Sequence, residues 1–135
     1  MAKKIYLDIG VLESASYPES GENVAKIASI HELGYPEKNI PERSFLEMPL
    51  TKEKLEELKD FIKNEFKDID EKDLKKAFER IGLKCQNIVT EAFATGGFGL
   101  WEPLKEETIK KKGNDTILVD TALLKNTISY DVGEE

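Results

Sequence analysis

The chain has 135 residues, of which 39% are hydrophobic and 35% are charged, and this balance predicts one domain over residues 1–135 with a modest core. Its formal charge of −7 repels phosphate backbones, which argues against general nucleic-acid binding, and we expect no direct sequence-specific binding either. A single cysteine excludes an internal disulfide and fits a reducing compartment, and we expect neither a signal peptide nor a membrane span, because no apolar run approaches about 18 residues.

The first predicted element is a strand from Ile5 to Leu12. Its apolar residues alternate at period two and several are β-branched, so one face should be buried. Residues 13–22 are rich in Ser, Gly and Pro and predict a flexible loop. A short helix from Val24 to Leu33 follows, with Asn23 as its N-cap and Gly34 in the left-handed position that ends helices. A strand is the alternative for this segment.

A long loop is predicted from Tyr35 to Leu50, flexible over residues 35–48, because prolines interrupt it. Structureless connections of this length inside a domain are often functional. Arg43 and Phe45 are its candidate residues, a guanidinium fork and a large apolar anchor of the kind used at interfaces. Two interpretations stay open: the pair forms an interaction site, or Phe45 fills the domain's own core while Arg43 pairs with a local carboxylate.

Two helices are predicted next. Thr51 should cap the first, and its apolar stripe falls at Leu55, Leu58, Ile62, Phe66 and Ile69. Asp70 should cap the second, a long helix from about Glu71 to Thr95 that continues across Gly82 although glycine costs about 1 kcal/mol there. Cys85 lies on the apolar face of this helix, which indicates a buried, inert thiol rather than a nucleophile.

Three glycines between residues 96 and 99 end the long helix and predict a flexible arm over residues 96–101. They do not form a phosphate-binding loop, because no strand precedes them and the Lys-Ser/Thr pair that should follow is absent. The chain after this arm predicts a charged helix over Lys105–Lys112, a turn at Gly113–Asp115, a strand at Ile117–Val119, a helical turn over Ala122–Asn126 and a strand over Thr127–Val132.

This C-terminal stretch resembles the signature of the tail-completion, or virion morphogenesis, proteins of tailed bacteriophages. The matching residues are Trp101, Pro103, Leu104, Thr108, Ile109, Lys111, Leu118, Asp120, Thr121, Leu124, Ile128 and Tyr130. Upstream, His31-Glu32-Leu33-Gly34 and Ile40-Pro41-Glu42-Arg43-Ser44-Phe45-Leu46 match the same family. The chain departs from the family pattern at Ala122, which stands for Gly, at Lys105, which stands for Ser, and at Ser44, which stands for Pro.

The resemblance implies a virion structural protein of the neck that completes the tail and helps to join it to the head by ring assembly. The implied partners are further copies of itself, six being the natural number, a tail tube or tail terminator protein, and a head connector or stopper protein. Assembly would take place in the host bacterial cytoplasm. The alternative is a transient assembly factor that is not retained in the virion.

Residue chemistry, together with the resemblance, suggests roles for particular residues. Arg43 and Phe45 on the loop, with Trp101 and Leu104 on the arm, would be the two halves of a head-to-tail contact between copies. A structural role is implied for His31, Glu32, Gly34, Pro41, Pro103, Asp120 and Thr121. In particular, the His31-Glu32 pair would tie the end of its helix to the following loop.

The hypothesis that the protein is an enzyme has little support in the sequence. Leu118-Val119-Asp120-Thr121-Ala122 is similar to the Asp-Thr-Gly loop of retroviral-type aspartic proteases, which use two aspartates that share a proton. Only a short chain follows Asp120, so this residue more simply caps the turn after it. His31 is the only histidine, and the chain has no pair of cysteines that could complete a metal site with it. We therefore expect no metal and no cofactor.

The expected fold is α+β, a small antiparallel sheet packed on one long helix with additional short helices.

Overall fold

The computed structural model describes residues 4–12, 24–102 and 127–134. These ranges contain two strands, β1 (Ile5–Val11) and β2 (Ile128–Glu134). They also contain three α-helices, α1 (Val24–Leu33), α2 (Leu55–Phe66) and α3 (Leu74–Thr95). Short 3₁₀ turns occupy Pro36–Lys38 and Glu71–Asp73, and a π-helical turn covers Pro49–Glu53. The predicted α+β class, with an antiparallel sheet on one long helix, is confirmed.

The sheet consists, within the described ranges, of β1 and β2 paired antiparallel from Ile5↔Glu134 to Val11↔Ile128. Alternate residues of both strands face α3, and glycine allows the helix to come close. A Cβ at Gly82 would lie 2.5 Å from the Tyr130 ring and 2.9 Å from Leu7. Gly82, which is unfavourable as a helix former, is therefore explained by the close approach of helix and sheet.

The core lies along α3, because its apolar stripe meets the sheet on one side and the other helices on the next. The α3 residues buried in it are Ala77, Ile81, Cys85, Ile88, Val89, Ala92 and Phe93. One group of buried side chains joins α3 to α1, Phe45 and Trp101, and a second joins it to α2 through Leu58. Gln86 also donates its amide to the Ile128 carbonyl at 2.9 Å, which fixes the start of β2 on the helix.

The observed helix ends and caps agree only in part with those predicted from the sequence. The helix over Val24–Leu33 is confirmed, and Gly34 follows it at φ 77° with its N–H donated to the Ile30 carbonyl at 2.7 Å. Thr51 was expected to cap α2, but the structure contradicts this: its hydroxyl donates to the Glu47 carbonyl at 2.6 Å, inside a helical turn that has already begun. Asp70 precedes a 3₁₀ turn without a side-chain cap bond, so its predicted capping role is also wrong.

Several sequence predictions fall on residues outside the described ranges. These are the loop at 13–22, the N-cap Asn23, the charged helix and short strand between residues 105 and 119, Pro103, Leu104, and the Asp120-Thr121 turn. The return strand predicted over Thr127–Val132 is confirmed as β2, which runs on to Glu134.

Candidate functional site

Several of the residues singled out in the sequence meet in one place, where the end of α1, the segment after it and the turn after α3 come together. We call this place the junction and define it by Glu32, Arg43, Ser44, Phe45 and Trp101. Its first segment turns back at Gly34, where a Cβ would lie 2.9 Å from the Glu42 nitrogen. The reversal lets the Arg43 N–H donate to the His31 carbonyl at 2.8 Å.

The Glu32 carboxylate is the polar centre of the junction. It accepts hydrogen bonds from the Phe45 N–H at 3.1 Å, the Leu46 N–H at 2.7 Å and the Ser44 hydroxyl. The Ser44 hydroxyl in turn accepts the Met48 N–H at 2.9 Å. A carboxylate and a hydroxyl thus satisfy the free N–H groups at the start of the helical turn that leads into α2.

These bonds tie the end of α1 to the following segment. His31 does so through its backbone carbonyl, and Glu32 through its side chain. The histidine side chain is half-buried at the edge of the helix.

Three aromatic rings form the apolar side of the junction. Phe45, which is 1% exposed, lies with its ring centroid 5.4 Å from that of Phe93. Trp101, which is 9% exposed, packs edge-on against Phe93 at 5.6 Å, an arrangement favoured by aromatic pairs. Its indole N–H donates to the Ser44 carbonyl at 3.1 Å, so the ring is fixed by a hydrogen bond as well as by packing.

The turn after α3 gives Trp101 its position. Gly96, Gly97, Phe98 and Gly99 all have positive φ, and Gly96 ends α3 in the left-handed conformation with its N–H bonded to the Ala92 carbonyl. A Cβ at Gly97 would overlap the Trp101 ring, whereas one at Gly96 would meet nothing. The glycine turn is therefore a compact, hydrogen-bonded reversal that folds Trp101 back onto the core.

Arg43 links the segment after α1 to the residues after the glycine turn, by charge and by hydrogen bonding. Its side chain is buried, and its Nε donates to the Glu102 carbonyl oxygen at 2.9 Å. Burial lowers the pKa of the Arg43 guanidinium from its ordinary value, and the nearby Glu102 carboxylate opposes that change. The guanidinium stays charged at neutral pH, because its ordinary pKa lies far above 7.

The structure decides between the two interpretations of Arg43 and Phe45. Phe45 fills the domain's own core, and Arg43 bonds within the chain, to a carbonyl rather than to a carboxylate. The expectation that these residues and Trp101 are exposed interface anchors is wrong, because all three are buried and packed on one another. Phe45 and Trp101 lie in the segments predicted to be flexible, 35–48 and 96–101, and both side chains are packed in the core. Leu104 lies outside the described ranges.

Sequence reasoning missed the part played by Ser44 and Phe93. Ser44 was noted only because it stands where the family pattern has a proline. Ser44 and Glu47 have the Ser-x-x-Glu spacing that often begins a helix, and this signal predicts the helical turn that the structure contains. Phe93 lies on the apolar stripe of α3, so periodicity marks it as core but does not identify its aromatic partners.

Metal binding and thiol chemistry find little support in the described part of the chain. No group of three His, Cys, Asp or Glu side chains there is placed to hold a metal ion. Cys85 is buried, and burial raises the pKa of its thiol, so the less reactive neutral form is favoured. Among the helices of these ranges, none is long and apolar enough to cross a membrane.

The surface next to the junction is partly apolar. Leu33 is 71% exposed and follows Glu32, while Leu100 is 63% exposed and precedes Trp101. Elsewhere, an open depression of about 430 Å³ is lined by Ile5, Glu71, Lys72, Leu74, Lys75 and Glu134. Comparison with protein-family models, with curated proteins and with solved structures finds no match to this chain.

Proposed function

We propose that the protein is a structural component of a tailed-phage neck, where it completes the tail and helps to join it to the head. The observation that carries the proposal is the meeting of the resembling motifs at the junction. Residues 31–34, 40–46 and 101 were selected by likeness to one family, although up to 70 positions separate them. In the fold, these segments share direct bonds, including Arg43 to Glu102 and Trp101 to Ser44.

Such convergence favours a genuine family resemblance over chance matches. Chance matches at distant positions have no reason to meet, whereas motifs of one family share a structural purpose. Matches to the same family at residues 103–126 lie outside those ranges and rest on sequence alone.

The proposed mechanism is assembly of several copies into a ring on the end of the tail. The junction side chains are mostly buried inside each copy, so they are not available to a neighbour. Neighbouring copies would therefore meet through exposed side chains next to the junction. Leu33 and Leu100 are the best candidates, because they are large, apolar and more than half exposed. The net charge of −7 disfavours association of free copies at low salt, so the tail end would act as the template.

The test is deletion of the gene from the phage or prophage that carries it, with complementation from a plasmid. Electron microscopy of the lysate should then show filled heads and finished tails that are not joined, and wild-type complementation should restore infectious particles. Normal numbers of joined particles in the deletion strain would overturn the proposal. Mass spectrometry of purified virions separates a retained neck protein from a transient assembly factor.

Surface variants test the assembly mechanism. Leu33→Ser and Leu100→Ser should leave the melting temperature nearly unchanged, since exposed substitutions usually change stability by within about 0.5 kcal/mol, but they should fail to restore joined particles. Leu83→Ser is the matched control, because Leu83 is also an exposed leucine, at 48%, and lies on α3 away from the junction segments. Full complementation by all three variants would exclude the proposed contact surface.

A further inference from the structure

The outer face of the sheet, opposite α3, has an unusual combination of side chains. Leu7 and Ile9 face the helix side, so the intervening Tyr6 and Asp8 project from the other face. The register places Tyr6 beside Gly133 and Asp8 beside Asp131. Tyr6, Asp8 and Asp131 are all exposed. We call these four residues the outer face.

Tyr6 lies flat on this face, and Gly133 makes that possible. A Cβ at Gly133 would overlap the end of the Tyr6 ring, so only glycine lets the ring rest across the neighbouring strand. The ring is nevertheless 42% exposed. One side of it therefore covers the backbone and the other is open to a partner.

Asp8 and Asp131 are a pair of like charges directly opposite each other. Cβ atoms of such cross-strand neighbours are about 4.5–5.5 Å apart, and like charges in this arrangement are destabilising. No cation of the described residues forms an ion pair with either carboxylate. Lys4, on the same face, is four residues from Asp8, which is about 13 Å along a strand.

We propose that the outer face binds a basic segment of another protein, with one arginine or lysine stacked on Tyr6 and paired with the two aspartates. A cation over an aromatic ring gains from the ring's negative face, and two carboxylates beside it add charge attraction. The bound cation would also relieve the repulsion between Asp8 and Asp131. The proposal does not depend on the neck function, because the outer face shares no residue with the junction.

A basic protein segment suits this face better than a second copy of the chain. Two outer faces brought together would place four carboxylates against one another, which is unfavourable. A segment with arginine is matched to a flat ring and paired carboxylates, since guanidinium stacks on aromatic rings and bonds carboxylates in a bidentate manner.

The test uses a fluorescein-labelled Gly-Arg-Gly-Arg-Gly peptide at low salt, where screening of exposed charges is weak. Amide shifts in a ¹H–¹⁵N titration locate the bound peptide, and fluorescence anisotropy measures its affinity. Asp8→Asn combined with Asp131→Asn should weaken binding about tenfold, the sum of small contributions from two exposed ion pairs. The matched control is Asp60→Asn with Glu91→Gln, which removes two exposed acidic charges from helices.

Tyr6 supplies a second comparison. Tyr6→Phe keeps the ring and should keep the affinity, whereas Tyr6→Ser should weaken binding about threefold through loss of the cation–π contact. The Asp8→Asn variant without peptide should melt at a higher temperature than the wild type, because the like-charge repulsion is removed. A residue with a purely structural role would not combine higher stability with weaker binding.

Four results would overturn the proposal. The first is equal weakening by both double variants, which would show general attraction to an acidic protein. The second is a set of shifted amides outside β1 and β2. The third is displacement of the peptide by millimolar Ca²⁺ with larger shifts at Asp8 and Asp131, which would make the face a cation site. The fourth is concentration-dependent broadening of the same amides without peptide, which would identify a second copy as the occupant.

Discussion

Replacement of Glu32 by glutamine removes the polar centre of the junction with little change in shape. The carboxylate accepts three hydrogen bonds, from the Phe45 N–H, the Leu46 N–H and the Ser44 hydroxyl. Glutamine offers one acceptor oxygen, which can hold the two backbone N–H bonds, and it turns its NH₂ group toward the Ser44 hydroxyl, whose O–H then loses its acceptor. A partly buried donor left without a partner costs about 1–3 kcal/mol, so we expect Glu32→Gln to lose about 2 kcal/mol of unfolding free energy.

The assay is thermal unfolding followed by circular dichroism, supported by urea titration. For a chain of this size, a loss of 2 kcal/mol lowers the melting temperature by about 6 °C. Glu42→Gln is the matched control, because Glu42 is an exposed glutamate of the same segment. It should change stability by less than about 0.5 kcal/mol. Equal melting temperatures for the two variants would refute the assignment of Glu32 as the cap of this segment.

Three further predictions concern the same core. Gly96→Ala should cost about 1 kcal/mol from its positive φ alone, and Gly97→Ala should cost more because its Cβ overlaps the Trp101 ring; calorimetry compares the two. Trp101→Phe should lose about 1 kcal/mol through the missing indole hydrogen bond, measured in urea, and no loss would contradict the bond. Burial raises the pKa of the Cys85 thiol, so the stability it contributes is full below the ordinary value of 9.0 and is lost above it. Wild type should therefore lose more stability than Cys85→Ala as pH rises through 9.0, and parallel curves would contradict this.

Periodicity along the chain predicts those parts of the fold that depend on local order. The period-two pattern locates β1, and the spacing of three and four locates α3 to within a few residues of its observed ends. Gly34 and Gly96 were assigned to helix ends, and both have positive φ. Each of these features is determined by residues close together in the chain, so it can be predicted from a single sequence.

The junction depends instead on contacts between distant residues. The indole of Trp101 bonds a carbonyl 57 positions away, and Glu32 reaches N–H groups 13 and 14 positions ahead. No local pattern distinguishes an aromatic residue that anchors a partner from one that fills its own core. For this reason the sequence alone did not decide whether Phe45 binds a partner or fills its own core. The segment around Ser44 suggested a loop because of its prolines, although its Ser-x-x-Glu spacing is a local signal of a helical turn.

The proposed role in a phage neck is tested most directly by asking whether virions contain the protein and where. Virions of a phage that carries the gene would be purified, labelled with a gold-conjugated antibody against the chain, and imaged by electron microscopy, with three-dimensional reconstruction of the neck. We expect the label between head and tail and a ring of this fold, six copies by resemblance, at the end of the tail tube. Virions that carry no label, or that carry it on the capsid shell or the distal tail tip, would contradict the account.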